Sequence, residues 1–161
     1  PLTSIAAYGR GETNRDTLCV MARDMGLEAE AAPTPEAALK GADLIVTSVT
    51  LDFTLEPFLD PARLKPTAFA AITDLGLPWQ PTGWSCFTNI FIDDQAQEDA
   101  SPHKMVPPEH VTGDLSQLAI LENTNGGPNA FVFRGIALGD YAVAALALER
   151  VEAAGLGHTL A

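Results

Sequence analysis

Short apolar runs alternate along this chain with stretches of helical periodicity, and that alternation limits the fold more than any other feature. Residues 4–9 (SIAAYG) form the first run, and residues 10–26 follow with Leu18, Met21, Ala22 and Met25 at helical spacing before Gly26. Residues 28–32 read as a second strand. Thr34 and Pro35 then supply an N-cap and a first helical position, and Gly41 stops that helix. Residues 43–49 (DLIVTSV) are a near-continuous apolar run, the pattern of a strand buried on both faces of a parallel sheet. Further strands are expected over 67–73, 89–93 and 130–133, with a short helix within 57–64, another in the second half of 107–121 and a long one over 136–154. Residues 75–87 hold two Pro, two Gly and both Trp without any period, which reads as a structured loop beyond a strand end; residues 123–129 (NTNGGPN) read as a turn cluster. Strands that alternate with helices call for right-handed crossovers. The predicted class is therefore α/β, a doubly wound, Rossmann-like parallel sheet with a long C-terminal helix.

Composition narrows the partners. Of 161 residues, 47% are apolar and 19% charged, so the chain can build a packed core. Nine Lys and Arg against 21 Asp and Glu leave a net charge of −12, which repels phosphate backbones and anionic headgroups; no nucleic-acid or membrane partner is expected. Asp140, Glu149 and Arg150 interrupt the richest apolar stretch before it could cross a bilayer. Cys19 and Cys86 are too few for a disulfide framework and too far apart for a metal pair, so a reducing cytoplasm is expected.

The candidate chemistry lies at strand ends. No Gly-x-Gly-x-x-Gly turn is present, and Gly9-Arg10-Gly11 lacks the third glycine and is followed by Glu12. If residues 4–9 are instead the second strand of a dinucleotide fold, their end meets the adenosine ribose, where an acid suits NAD and an arginine suits the 2′-phosphate of NADP. Arg10, with Arg15 one turn later, fits the latter case; both also read as solvated helix-start residues. Asp74 follows the strand over 67–73, as a base, a water-orienting acid or a plain turn aspartate. Asp93, Asp94, Glu98 and Asp99 read as a solvated helix start, with Mg²⁺ ligation the less favoured alternative. His103, His110 and His158 have no partners at metal or triad spacing, so no metal site is expected.

Four segments in register carry a resemblance: residues 4–16, 42–50, 57–74 and 135–156. Their most specific parts are Ala42-Asp43 opening an apolar strand that ends in Val46-Thr47, Leu64-Lys65-Pro66 opening a strand that ends in Asp74, and Gly135, Ala137 and Asp140 at a helix start. In these the chain resembles the ornithine cyclodeaminase and mu-crystallin family. The resemblance implies a homodimeric, NAD- or NADP-dependent enzyme acting on a small imino or amino acid. It also implies that this chain is a C-terminal portion. Residues 1–134 would be a Rossmann domain lacking its first strand and Gly-rich turn, and residues 135–161 a helix packing toward a substrate and dimerisation domain outside the chain.

Carried across by position, the resemblance implies that Asp74 is the catalytic acid and that Gly9, Arg10 and Gly11 meet the cofactor; Arg15 joins them by its spacing one turn after Arg10. Arg10 tips the expectation toward NADP. Thr47, Ser48, Val49, Ile72, Thr73 and Gly135 would line the rest of the cofactor site. Val132, Phe133 and Arg134 stand where the family usually shows Asp, Ser and Thr, and Leu75 to Trp79 where it shows Pro-Gly-Lys. These departures count against a cyclodeaminase proper and leave an imino-acid reductase or amino-acid dehydrogenase as the expected activity; the altered 132–134 segment favours the alternative of a non-catalytic, crystallin-like NADP binder, and the retained Asp74 counts against it. They also offer Arg134 to a second substrate carboxylate.

Overall fold

The computed structural model describes residues 1–120 and 126–158 of the chain. Its strands are β1 (Ser4–Ala7), β2 (Glu28–Ala31), β3 (Leu44–Thr47), β4 (Phe69–Ile72), β5 (Asn89–Ile92), β6 (Gly113–Asp114) and β7 (Asn129–Val132). The helices are α1 (Glu12–Asp24), α2 (Pro35–Leu39), α3 (Gln95–Ala100), α4 (Leu115–Leu118) and α5 (Ala137–Ala153). β1 and β2 form a two-stranded parallel sheet. The other strands form a five-stranded parallel sheet in the order β3-β4-β7-β5-β6. This is the predicted α/β class. Because the pairings are parallel, the C-terminal ends of the strands within each sheet gather on one edge, where loops can build a site.

Local chemistry explains the boundaries. Gly26 adopts φ +82°, and the amides of Gly26 and Leu27 donate to the carbonyls of Arg23 and Ala22, the Schellman closure that a glycine permits. Thr34 caps α2 by accepting from the Ala37 amide at 3.2 Å, with Pro35 next. β6 is a strand that periodicity does not reveal: it has two residues, and Asp114 turns at once into the cap of α4, where Gln117 completes a capping box. The helix expected late in 107–121 is thus short, with a 3-10 turn at Pro108–His110 before it. Residue 121, residues 123–125 of the turn cluster and the last three residues of the C-terminal segment lie outside the described residues.

The core lies on one face of the large sheet. Ile45, Ala70, Ile72, Ala130, Val132, Ile90 and Ile92 point into it, and each fully buried Ile adds roughly 1.5–3 kcal/mol. Among the described residues, no long helix covers this face. Trp79, Trp84, Phe87, Met105 and Val106 from irregular segments do so, together with Leu39. Two 3-10 turns, Pro61–Arg63 and Pro81–Cys86, stack so closely that a Cβ on Gly83 would overlap the Pro61 ring. The loop over 75–87 is therefore structural mass as much as a site border.

The opposite face corrects one expectation. Residues 43–49 are not buried on both sides: Leu44 and Val46 are 54% and 65% exposed, because β3 is the sheet edge and no described element covers that side. α1 shows the same inversion. Its small residues Cys19 and Ala22 are buried, while Leu18, Met21 and Met25 are exposed. α5 buries no residue at all; Leu138, Tyr141, Val143 and Leu148 all stand exposed.

Candidate functional site

Two buried carboxylates stitch neighbouring strand ends together. Asp74, just past β4, has no solvent exposure. One of its oxygens accepts from the Thr47 hydroxyl at 3.1 Å and the other from the Val49 amide at 3.1 Å, so it ties the end of β4 to the end of β3. The Thr47 oxygen in turn accepts from the Trp79 indole at 3.3 Å. Desolvation pushes the Asp74 carboxyl above its ordinary range, against the opposing effect of these donors. The next residue, Leu75, is the one described non-glycine at positive φ, +60°, and Gly76 follows at +76°. The chain thus turns away sharply once the carboxylate is seated.

Asp93 repeats the device between β5 and β7. Its Oδ2 accepts from the amides of Arg134 and Gly135 at 2.9 and 2.6 Å. Glu98 lies alongside, 2% exposed, and takes the Arg134 guanidinium through Nε and NH2 at 3.1 and 2.6 Å. The second Glu98 oxygen accepts from the Met105 amide, and Arg134 also donates to the His103 carbonyl. The expectation that Arg134 receives a substrate carboxylate is corrected here. Its guanidinium is held by Glu98 and by the 101–105 strap, which leaves it structural.

The acidic run is also not the solvated helix start expected of it. Asp94 does cap α3, accepting from the Gln97 amide, but Asp93 and Glu98 are buried and paired. Only their distance in sequence from Arg134 hides this. Among the described residues, no cluster of three His, Cys, Asp or Glu could hold a metal. Both cysteines are free, Cys19 buried and Cys86 partly so.

The groups that remain open lie on the other half of the rim. Ser48 and Thr73 are exposed at the ends of β3 and β4, and Val49 is partly so. The Thr73 hydroxyl donates to the Thr47 carbonyl, and Thr47 itself is spent on Asp74. The Ile72 side chain is fully buried and belongs to the core. At the end of β1, Gly9, Arg10 and Gly11 form the turn into α1. Arg10 is exposed and makes no ion pair within 4 Å among the described residues. Arg15 is taken: Asp16 holds it at 2.8 Å. Tyr8 packs edge-on against Phe58, centroids 6.2 Å apart, which brings the end of β1 to the loop that follows β3.

The sequence features that located Asp74, Arg10 and the strand ends were local ones. Trp79 and Glu98 were missed as site-building residues because each acts on a partner more than 30 residues away.

No family model matches the sequence, and no curated protein is similar enough to count as a match. Solved structures do match. A Thermococcus litoralis Δ1-pyrroline-2-carboxylate reductase in complex with NADH and L-proline superposes with a TM-score of 0.78 at 14% identity, over 98% of this chain and 53% of that one. An archaeal alanine dehydrogenase dimer with bound NAD gives 0.79 at 16% identity, over 99% and 52%. A probable ornithine cyclodeaminase from Bordetella pertussis Tohama I gives 0.70 at 16% identity, over 98% and 62%. The chain thus spans between half and two thirds of the length of these proteins. It has the Rossmann-type fold that forms part of each of these three proteins.

Proposed function

We propose that this chain is the nucleotide-binding part of a nicotinamide-dependent enzyme that acts at the C–N bond of a small imino or amino acid, as a reductase or dehydrogenase. The observation that carries the proposal is the superposition of nearly the whole chain on two proteins that hold NADH or NAD. The polar groups fit the nucleoside side of such a cofactor: the exposed Arg10 guanidinium between two residues without side chains, the exposed Ser48 hydroxyl, and the Thr73 oxygen as an acceptor, its proton being given to the Thr47 carbonyl. It does not supply a Gly-rich phosphate turn. That element, with the substrate-binding groups, belongs to residues outside 1–161.

When bound, the nicotinamide supplies or accepts the hydride. The work of this chain is to hold and orient. Asp74 fixes the ends of β3 and β4 relative to one another, and Asp93 does so for β5 and β7, so the floor under the site is rigid before any ligand arrives. Asp74 is closed to solvent, so we assign it to positioning; a direct role with water or substrate requires the Trp79–Thr47 cover to open.

The uncovered surfaces support the division into a Rossmann domain over 1–134 and a helix that leads elsewhere. β1 and β3 each present an unpaired edge, and Leu44, Val46, Leu18, Met21 and the whole of α5 lack cover. We assign that cover to a further strand, its helix and a substrate and dimerisation domain. No helix among the described residues is long and apolar enough to cross a membrane.

The test is fluorescence titration of the native full-length protein with NADH and NADPH, followed by turnover on cyclic and linear imino acids. Binding with cofactor oxidation is the expected result. Ammonia release from ornithine without net change in cofactor absorbance would move the assignment to a cyclodeaminase, and failure to bind any nicotinamide cofactor would remove the proposal.

A further inference from the structure

The 101–105 strap crosses the ends of neighbouring strands, and its anchors show where. The guanidinium of Arg134, just past β7, donates to the His103 carbonyl at 2.7 Å. The Met105 carbonyl lies 3.1 Å from where a Cβ on Gly76, just past β4, would stand. The His103 ring rests against Phe53, in the loop that follows β3, with centroids 5.5 Å apart. Because β3, β4 and β7 are adjacent and parallel, all these anchors sit on the C-terminal edge of the sheet.

Residue 103 is held unevenly. The Ser101 hydroxyl accepts from its amide at 3.3 Å and donates to its carbonyl at 3.0 Å. On one side of it Lys104 Nζ donates to the Glu98 and Asp99 carbonyls at 2.6 and 2.9 Å; beyond that, the Met105 amide donates to Glu98 at 2.6 Å. The main chain is thus pinned around His103. The imidazole is exposed, and among the described residues neither ring nitrogen makes a hydrogen bond. Burying the Arg134–Glu98 pair is costly in desolvation, and its yield here is a single side chain fixed at the rim with a free donor and a free acceptor. The other charged groups at these strand ends are closed: Asp74 and Asp93 are buried, and Arg134 is committed to Glu98.

We propose that His103 is a substrate contact, its imidazole hydrogen-bonding an oxygen or nitrogen of the small imino or amino acid, and that Arg134 and Glu98 are positioning residues that act through it. The inference rests on the nicotinamide reading above and gives Arg134 a role in binding without a contact of its own. Phe53 supports the ring from the far side of the mouth.

The test is steady-state NADH oxidation by the native full-length protein with Δ1-pyrroline-2-carboxylate, and with pyruvate plus ammonium, alongside NADH binding read from cofactor fluorescence. His103→Ala is expected to raise the KM of the accepted substrate by roughly fivefold to tenfold, the worth of one hydrogen bond, and to change kcat and the NADH dissociation constant much less. His110→Ala, in the 3-10 turn that leads to the start of β6 on the opposite edge of the sheet, is expected to change none of these. Arg134→Met combined with Glu98→Met removes both charges and leaves neither buried alone. That pair is expected to raise KM by the same factor as His103→Ala, and adding His103→Ala to it is expected to raise KM no further. Should the methionine pair fail to fold, Arg134→Lys takes its place in the cycle. An unchanged KM in His103→Ala overturns the contact, and effects that simply multiply overturn the positioning role; in both cases wild-type turnover leaves the nicotinamide reading standing. If wild type neither binds NADH nor oxidises it with either substrate, that reading falls and the inference falls with it.

Discussion

The middle of the five-stranded sheet and the β1–α1–β2 unit are built from similar residues and end in opposite states. In the middle, Ala70, Ile72, Ala130 and Val132 are fully buried, and among the described residues no buried side-chain polar atom lacks a partner. In the β1–α1–β2 unit, Ala7, Cys19 and Ala22 are buried, whereas Leu18, Val20, Met21 and Met25 stand in the open. Apolarity alone did not decide which side chains went inside. A strand with a neighbour on each side and a layer beneath it buries its residues; a helix over a two-stranded sheet buries only its smallest stripe. Burial is a property of the layers within reach.

The sharpest way to break this comparison is at the saturated end. Glu98→Ala leaves Arg134 without its carboxylate and the Met105 amide without its acceptor. The expected loss is about 3–5 kcal/mol in urea denaturation. A loss below about 1 kcal/mol would mean that the Arg134 side chain escapes to water and the clamp is dispensable.

Asp74→Asn comes next, at about 1–3 kcal/mol near neutral pH, because an amide can accept only one of the two donated bonds. Its pH dependence carries a sign. The folded chain raises the Asp74 pKa, so it binds that proton more tightly than the unfolded chain does. The contribution is fully present below the ordinary value of 3.8 and fades as pH rises through the raised one. Wild-type stability should therefore carry a declining component across that window that Asp74→Asn lacks; identical pH profiles for the two would contradict the burial.

Thr34→Ala tests a purely local interaction, the α2 cap, and is expected to cost about 1 kcal/mol by thermal melting. The smallest effects belong to the open surfaces. Leu44→Thr, Val46→Thr and Met21→Gln in the 1–161 chain should each change stability by no more than about 0.5 kcal/mol. A cost above about 2 kcal/mol at any of them would show that the face is covered in solution, and the contrast drawn above would then vanish.

How much was legible beforehand follows the same division. Thr34-Pro35, Gly26 and the apolar runs act on neighbours within a few residues, so spacing alone located α2, the end of α1 and six of the seven strands. β6 escaped because two residues cannot display a period. Arg134 was misread because its partner Glu98 lies 36 residues upstream. The exposure of β3 was misread because an apolar run does not say whether a second layer lies over that face of the sheet.

The link from Trp79 through Thr47 to Asp74 has a practical corollary. Both tryptophans of the chain lie in the 75–87 segment, and Trp79 is only 1% exposed, with its indole N–H spent on the hydroxyl that also serves Asp74. The molecule therefore carries its own optical gauge at the strand ends. A change in the charge of Asp74, or an opening of the cover above it, alters the field around Trp79, one of two shielded indoles, and a Trp84→Phe variant isolates its signal. Its emission can report that event in the unlabelled protein, before any substrate is known.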